Sequence, residues 1–288
     1  RSIEYRSILG IYLTHKGNEI LCHSVDLECI LVNGQIFLSD LSSLVARIRN
    51  GTKLAIAKTE CGAAMAATHE LIRQNIQDLH LILVPTSGLQ ADLLIGAGCV
   101  QTLEGSGVTM GEHGQAPCFG RFVGEGRISL KDATCPAVYA GLQAAEKGIP
   151  YMPMRGLIGS DVANYRDDFT IVSNPFAVDD PIMAVRAIQP EVALFHAPLA
   201  DRHGNVWIGR HKPLMLLAHA SKETLVTVEK IFDDNLLDDP IYGPATIPSL
   251  YISGIVQQEL GAWPTRSPGL AEEDIKHVET YMRLAATQ

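Results

Sequence analysis

Leu103-Glu104-Gly105-Ser106-Gly107 sets a carboxylate between a short apolar run (Val100, Thr102, Leu103) and a glycine-rich turn. A glutamate at a strand end, with backbone N–H groups around it, can act as nucleophile or base once water is excluded. The same residue can equally cap a loop, and the local sequence leaves both roles open. Glu60 and Glu112 are acidic candidates of the same type with weaker flanks. Gly105 and Gly107 would let backbone N–H groups approach a bound ligand, or would simply let the chain turn. Arg155 lies between Tyr151-Met152-Pro153-Met154 and Gly156-Leu157-Ile158-Gly159-Ser160-Asp161. Its guanidinium suits an anionic group, and Asp161 offers it an internal partner instead.

Other reaction types fail on spacing. After Gly96-Ala97-Gly98 the third glycine of a dinucleotide fingerprint would fall on Gln101. No glycine precedes Lys-Ser or Lys-Thr, so a phosphate-cradling P-loop is absent, and Gly105-Ser106-Gly107 is not a nucleophile elbow. His69-Glu70 opens like a zinc-protease helix, but Arg73 stands where the second histidine is required. His196, His203, His211 and His219 fall in one stretch without a dense set of carboxylate or thiolate partners. They read as ordinary hydrogen-bonded histidines, and no metal is expected.

The elements that must position these groups alternate. Ser39 or Asp40 caps a predicted helix with an apolar face of Leu41, Leu44, Val45 and Ile48, ended at Asn50-Gly51. Strands are expected at 53–57, 79–84, 91–95, 151–154, 169–172, 192–196, 205–208 and 224–228. Helices are expected at 63–76, 136–147 and 213–220. Leu79 to Val84 is a near-continuous apolar run stopped by Pro85, the mark of a strand buried on both faces. Pro136 at the start and Gly148 after the end frame the Ala-rich helix in the expected order. This alternation predicts an α/β fold, an open, largely parallel sheet with helices on both faces. Residues 1–35 alternate only weakly, with turn signals at Gly17-Asn18 and Asn33-Gly34. They read as a pair of short strands or an extension outside the main domain of residues 36–288.

Composition narrows the partners. Hydrophobic residues at 47% and charged residues at 19% give a large core and exclude a disordered chain. A net charge of −9 and 6% aromatic residues argue against nucleic-acid binding by charge or base stacking. No apolar run reaches the roughly 18–20 residues of a membrane span. The six cysteines form no CxxC pair or regular framework, so reduced thiols and a cytoplasmic location are expected.

Several strings recur together in a known family. Gly88-Leu-Gln-Ala-Asp-Leu-Leu-Ile-Gly-Ala-Gly98, Gly107-Val108, Ile149-Pro-Tyr-Met-Pro153 and Gly159-Ser160 come in that order. Asn174-Pro-Phe176, Pro190-Glu-Val-Ala-Leu-Phe-His-Ala197, Ala200-Asp201-Arg-His-Gly204-Asn205-Val206 and Leu225-Val-Thr-Val-Glu-Lys-Ile231 follow. From about Ile36 to Gly261 the chain resembles the A-type subunits of family I coenzyme A-transferases, of the glutaconate CoA-transferase kind. The resemblance implies a sheet similar to ribose-phosphate isomerase-like folds and a B-type partner subunit of the same architecture. It also implies a ping-pong exchange of coenzyme A, as co-substrate, between an acyl-CoA and a carboxylic acid. No permanently bound cofactor is implied. In that chemistry a glutamate of the B-type chain attacks the thioester, and backbone donors stabilise the oxyanion.

The B-type motif is Ser-Glu-Asn-Gly or a Glu-Ser-Gly variant. The nearest string here is Leu103 to Gly107, at a place matching the A-type sequence, so the resemblance does not carry the nucleophile to Glu104. A-type subunits often show Gly-Gly-Phe after the first strand, where the backbone helps bind the thioester carbonyl. Here Ala57-Lys58-Thr59 stands there, followed by Glu60-Cys61-Gly62. Lys58 then becomes a charged donor in place of the paired glycines. The change also opens two other readings, an acyl-CoA hydrolase or lyase on the same scaffold and a non-catalytic acyl-CoA-binding protein.

Overall fold

The computed structural model describes residues 4–6, 12–16, 19–23, 36–267 and 270–287. By its internal contacts the chain divides into two units, Arg1–Gln35 and Ile36–Gln288. In the first, β1 (Glu4–Arg6), β2 (Tyr12–Lys16) and β3 (Glu19–His23) form an antiparallel sheet in that order. Both turn signals expected in this segment lie outside the described residues.

The second unit is built on short strands, apolar at the centre of the sheet and polar at the Ser129–Asp132 edge. These are β4 (Lys53–Ala57), β5 (Leu79–Val84), β6 (Val100–Gly105) and β7 (Ser129–Asp132), all parallel. A small sheet follows, of β8 (Tyr151–Met154), β9 (Phe169–Ser173) and β10 (Pro181–Arg186), antiparallel in the order β8-β10-β9. The chain then returns to the main sheet with β11 (Val192–Asp201), β12 (Val206–Trp207), β13 (Glu223–Phe232), β14 (Thr246–Ile247) and β15 (Gly254–Gln257). β11 is parallel to both β4 and β13, and β13 to β15, giving the order β7-β6-β5-β4-β11-β13-β15. β12 folds back antiparallel on the end of β11 and carries β14.

Side chains along these strands alternate between two cores, as the period of two requires. Leu54, Ile56, Leu81, Leu83, Leu194 and Leu225 face one core. It is covered by α1 (Leu41–Val45), α2 (Met65–Arg73), α3 (Leu89–Gly96), α4 (Pro117–Gly124) and α8 (Ile275–Ala285). Ala55, Ala57, Ile82, Val84, Phe195 and Val226 face the other. That core is closed by the helices α5 (Cys135–Glu146) and α7 (Lys212–Ala220), while the short α6 (Asp161–Asn164) precedes β9. Each such buried leucine or isoleucine contributes roughly 1.5–3 kcal/mol. The two-faced, largely parallel sheet follows from the sequence pattern. Asp40 caps α1 as expected, its carboxylate accepting from the Ser43 N–H at 2.8 Å.

Two expectations are corrected. Residues 91–95 belong to the helix α3, not to a strand. That helix is apolar around almost its whole circumference because it is enclosed by α2, α4 and the sheet, so its periodicity carries no helical signal. The expected strands at 151–154 and 169–172 form the separate antiparallel sheet with β10, a strand that the sequence pattern did not predict.

The loop between β11 and β12 is held by one carboxylate. Asp201 is fully buried and accepts four hydrogen bonds, from the N–H groups of His203, Asn205 and Leu236 and from the Asn205 side-chain amide, all at 2.7–2.9 Å. Removing this acceptor leaves four donors unsatisfied, so Asp201→Ala is expected to lower stability by about 3 kcal/mol or more. The check is the urea midpoint at unchanged m-value.

Candidate active site at the carboxyl edge of the sheet

Strand order reverses between β4 and β11. From β4 the chain moves outward through β5, β6 and β7, and from β11 it moves the other way through β13 and β15. Loops leaving the carboxyl ends of β4 and β11 therefore part, and such a crevice is where open α/β sheets bind ligands. The loop leaving β4 is Lys58–Gly62. It contains a single 3-10 turn, Thr59–Cys61, closed by a hydrogen bond from the Cys61 N–H to the Lys58 carbonyl at 2.8 Å. The turn ends at Gly62 with φ 87°, and a side chain there would run into the carbonyl oxygen of His196. The His196 N–H in turn donates to the Gly62 carbonyl at 2.8 Å. On the other side Gly88 leaves room for the Thr59 hydroxyl, and the Ser87 hydroxyl donates to the Ala57 carbonyl at 3.4 Å.

Beside this loop lies a cavity of about 420 Å3. Its walls are Thr59 and Glu60, Leu89 at the start of α3, Thr109 to His113 after β6, and Arg266 with Glu273 from the C-terminal segment. His113 and Glu273 meet at 3.3 Å, and Arg266 meets Glu272 at 3.1 Å, so ion pairs close the rim.

Lys58 and Glu60 come together here, with Nζ and Oε2 3.2 Å apart and both side chains about half exposed. Between them and α5, burial raises the Cys61 thiol, helped by the negative charge of Glu60. Burial also raises the Tyr139 phenol, with further contributions from Cys61 and Cys135. Gly105 and Gly107 stitch the same edge. The Gly105 carbonyl accepts from Ala133 at 3.1 Å, the Gly107 carbonyl accepts from Ser87 at 3.3 Å, and a side chain at Gly105 would collide with Leu83.

Glu104 points the other way, onto the face covered by α5. It is 2% exposed, and both its oxygens are engaged. Oε1 accepts from Arg166 Nη2 at 2.5 Å, and Oε2 lies 2.9 Å from His80 Nε2. Arg166 also bonds Asp168 at 2.7 Å and lies over the Phe169 ring. Burial pushes the Glu104 carboxyl upward, but the His80 hydrogen bond and the charges of Arg166, His80 and Lys131 outweigh it, leaving the group below its ordinary value. Arg155 stands apart on the small sheet, beside a groove lined by Tyr151, Met154 and Phe176. It pairs with Asp180, not with the adjacent Asp161. Glu112 is exposed on the cavity rim.

The sequence pattern did not single out the pair at the centre of the reversal. His196 is 1% exposed, with Nδ1 2.9 Å from the Thr227 hydroxyl and Nε2 2.9 Å from Glu229 Oε1. The other Glu229 oxygen accepts from the Leu260 N–H at 2.8 Å. The signal was present, since both residues sit in strings shared with the resembling family, but spacing alone does not say that two strands 33 residues apart are adjacent. The remaining histidines disperse. His203 is exposed on the β11–β12 loop, His211 precedes α7, and His219 meets Glu146 at 3.3 Å. Among the described residues no group of three or more His, Cys, Asp or Glu side chains is gathered as a metal site, and no helix is long and apolar enough to cross a membrane.

The family model described as coenzyme A transferase matches residues 39–258, three quarters of the chain. The chain belongs to the coenzyme A transferase family. Within that family, the A-type chain of the 3-oxoadipate CoA-transferase of Pseudomonas knackmussii is 31% identical over 227 residues, covering 76% of this chain and 78% of that one. The solved glutaconate coenzyme A-transferase of Acidaminococcus fermentans superposes with a TM-score of 0.80 at 25% identity, covering 88% of this chain and 84% of the other. A variant of the decarboxylase AibA/AibB superposes at 0.77 with 28% identity, covering 88% and 95%. The family match spans β4 to β15 and so includes both sides of the strand-order reversal.

The network around Arg166 has a pH signature. Burial acts to raise Asp168, but the hydrogen bonds and charges of Arg166 and Lys131 prevail and hold it at about 2 against an ordinary 3.8. A depressed folded-state value gives stability that is complete above the unfolded value and lost as pH falls toward the folded one. Stability should therefore decline between about pH 4 and pH 2, and Asp168→Asn should flatten that limb, as read from urea midpoints across the range. Arg166→Met, which strands Glu104 without its cation, should lower stability by about 3–5 kcal/mol.

Proposed function

We propose that this chain forms half of a two-chain coenzyme A-transferase, with its reacting edge at Lys58–Gly62 and the nucleophilic glutamate supplied by a B-type partner. The enzyme would move coenzyme A, a co-substrate, from an acyl-CoA to a carboxylic acid. The observation that carries this reading is the state of the chain's own carboxylates. Glu104 has both oxygens bonded to Arg166 and His80, and Glu229 has its oxygens bonded to His196 and the Leu260 amide. A carboxylate so engaged would have to break two charge-assisted hydrogen bonds before it could attack a thioester. Glu104 is therefore read as holding the end of β6 against Arg166.

In this reading Lys58 and the backbone of the turn it opens face the thioester carbonyl. A donor at a developing oxyanion contributes about 3–4 kcal/mol. The cavity walled by Thr59, Leu89 and Thr109 takes the acyl group, and about 420 Å3 suits a short chain. Gly107 keeps the neighbouring turn thin, so coenzyme A can reach the loop, while Gly105 makes room for Leu83. Arg155 would contact coenzyme A only by giving up Asp180. A second reading, hydrolysis or decarboxylation of an acyl-CoA, draws support from Lys58 replacing the paired glycines and from the likeness to AibA/AibB.

The test is thioester exchange with the chain alone and with a co-expressed B-type partner. The isolated chain should transfer nothing. The complex should transfer only when an acceptor acid is present, with the covalent coenzyme A adduct on the partner by intact mass. Free coenzyme A without an acceptor would select the hydrolytic reading, and an adduct on the isolated chain would overturn the two-chain account. In the complex, Lys58→Met should lower kcat about 100–1000-fold.

A further inference from the structure

We infer that the buried His196–Glu229 pair is the positioning device of the Lys58–Gly62 loop. This inference rests on reading that loop as the reacting edge.

The links form a closed circuit around the loop. His196 is gripped from β13 at both ring nitrogens, by Thr227 and by Glu229, each at 2.9 Å. With the ring fixed, the β11 backbone is fixed, and its N–H holds the Gly62 carbonyl at 2.8 Å. Glu229 reaches onward to the Leu260 N–H at 2.8 Å. The next residue, Gly261, lies so close to the imidazole that a side chain there would meet Nδ1 and Cε1. The Gly261 carbonyl accepts from the Ala66 N–H at 3.0 Å, in the first turn of α2. The Lys58–Gly62 segment is thus tied at its exit to β11 and, four residues later, to the loop after β15.

Stability does not account for such a pair. Removing a carboxylate and an imidazole from water is expensive, and buried ion pairs are commonly replaced by apolar side chains with no loss of stability. The pair instead supplies direction. It offers polar contacts of fixed geometry to two loops that leave the sheet on opposite sides of the strand-order reversal, where apolar packing would allow them to slide. Reacting groups misplaced by about 1 Å lose about 100-fold in rate. The 3-10 turn that carries Lys58 and Thr59 has a single internal hydrogen bond to hold it, from Cys61 to Lys58.

Cys61 reports on the loop independently of catalysis. It is half-buried in that turn, whereas Cys135 is exposed. The experiment compares wild type, the volume-matched double variant His196→Leu/Glu229→Leu, and Glu229→Gln. Each is studied as the full chain with a co-expressed B-type partner for kinetics, and alone for thiol alkylation by iodoacetamide, followed by peptide mass spectrometry. In the folded double variant, alkylation of Cys61 should rise roughly tenfold while Cys135 is unchanged. The kcat for thioester exchange should fall about 100-fold, with KM within about threefold. Wild-type Cys61 reactivity and kcat in a folded double variant would overturn the inference. If the double variant does not fold, Glu229→Gln must show the same changes at smaller amplitude, and wild-type values there overturn it. A wild-type complex that exchanges no thioester overturns the transferase reading instead, and the Cys61 rate then decides the positioning role alone.

Discussion

The space beside Gly62 is filled by the carbonyl oxygen of His196, and no residue with a side chain fits there. That close approach joins the exit of β4 to the middle of β11 at the one place where the strand order of the sheet reverses. Everything at the carboxyl edge is organised around it. The left-handed conformation of Gly62 ends the 3-10 turn, and the turn aims Lys58 and Glu60 outward. Once the turn is placed, Thr59 falls against Gly88, and the walls of the cavity are completed by the starts of α3 and α8.

The strings that carry the family resemblance are mostly not chemistry. Asp92, inside the stretch from Gly88 to Gly98, is fully buried and accepts from the N–H groups of Cys118 and Phe119 at the start of α4 and from the Tyr281 hydroxyl of α8. One carboxylate thus caps one helix and anchors another. Asp201 and Asn205 do the same for the β11–β12 connection, with the Asn205 carbonyl oxygen accepting from Ser249 N–H at 2.9 Å. Such residues show their family through the loops they tie. Apart from Leu89, the groups facing the cavity lie outside those strings.

The legible part of the fold was the part written in local periodicity. Leu79–Val84, Val192–His196 and Thr224–Val228 are apolar on both faces because each has helices above and below, and that run is visible without knowing the neighbours. α5 and α7 announce themselves by a proline in the first turn. What failed was read through contacts distant in the chain. α3 is surrounded by apolar neighbours and lost its periodicity, and β8 and β9 found each other only through β10. At the site, Glu104 looked like a carboxylate with free backbone donors because its sequence neighbours are glycines. Its real partners, His80 and Arg166, are 24 and 62 residues away. Arg155 likewise chose Asp180 over the nearby Asp161 because the small sheet brings the ends of β8 and β10 together.

The proposed chemistry gives a reason for how firmly the buried carboxylates are held. A two-chain thioester exchange needs one reactive carboxylate at the edge, and any second one free to approach the same carbonyl would compete with it. Among the described residues the two buried glutamates are each hydrogen-bonded to a basic side chain, and at the cavity rim Glu60 sits beside a lysine and Glu273 beside a histidine, while Glu112 is exposed. Pairing lowers the nucleophilicity of a carboxylate by stabilising the charge it would have to share. Lys58 remains half exposed beside Glu60, and in the proposed reading it faces the negative charge developing on a carbonyl. On that reading a scaffold of this kind supplies the electrophilic half of the chemistry and leaves the attacking half to a partner.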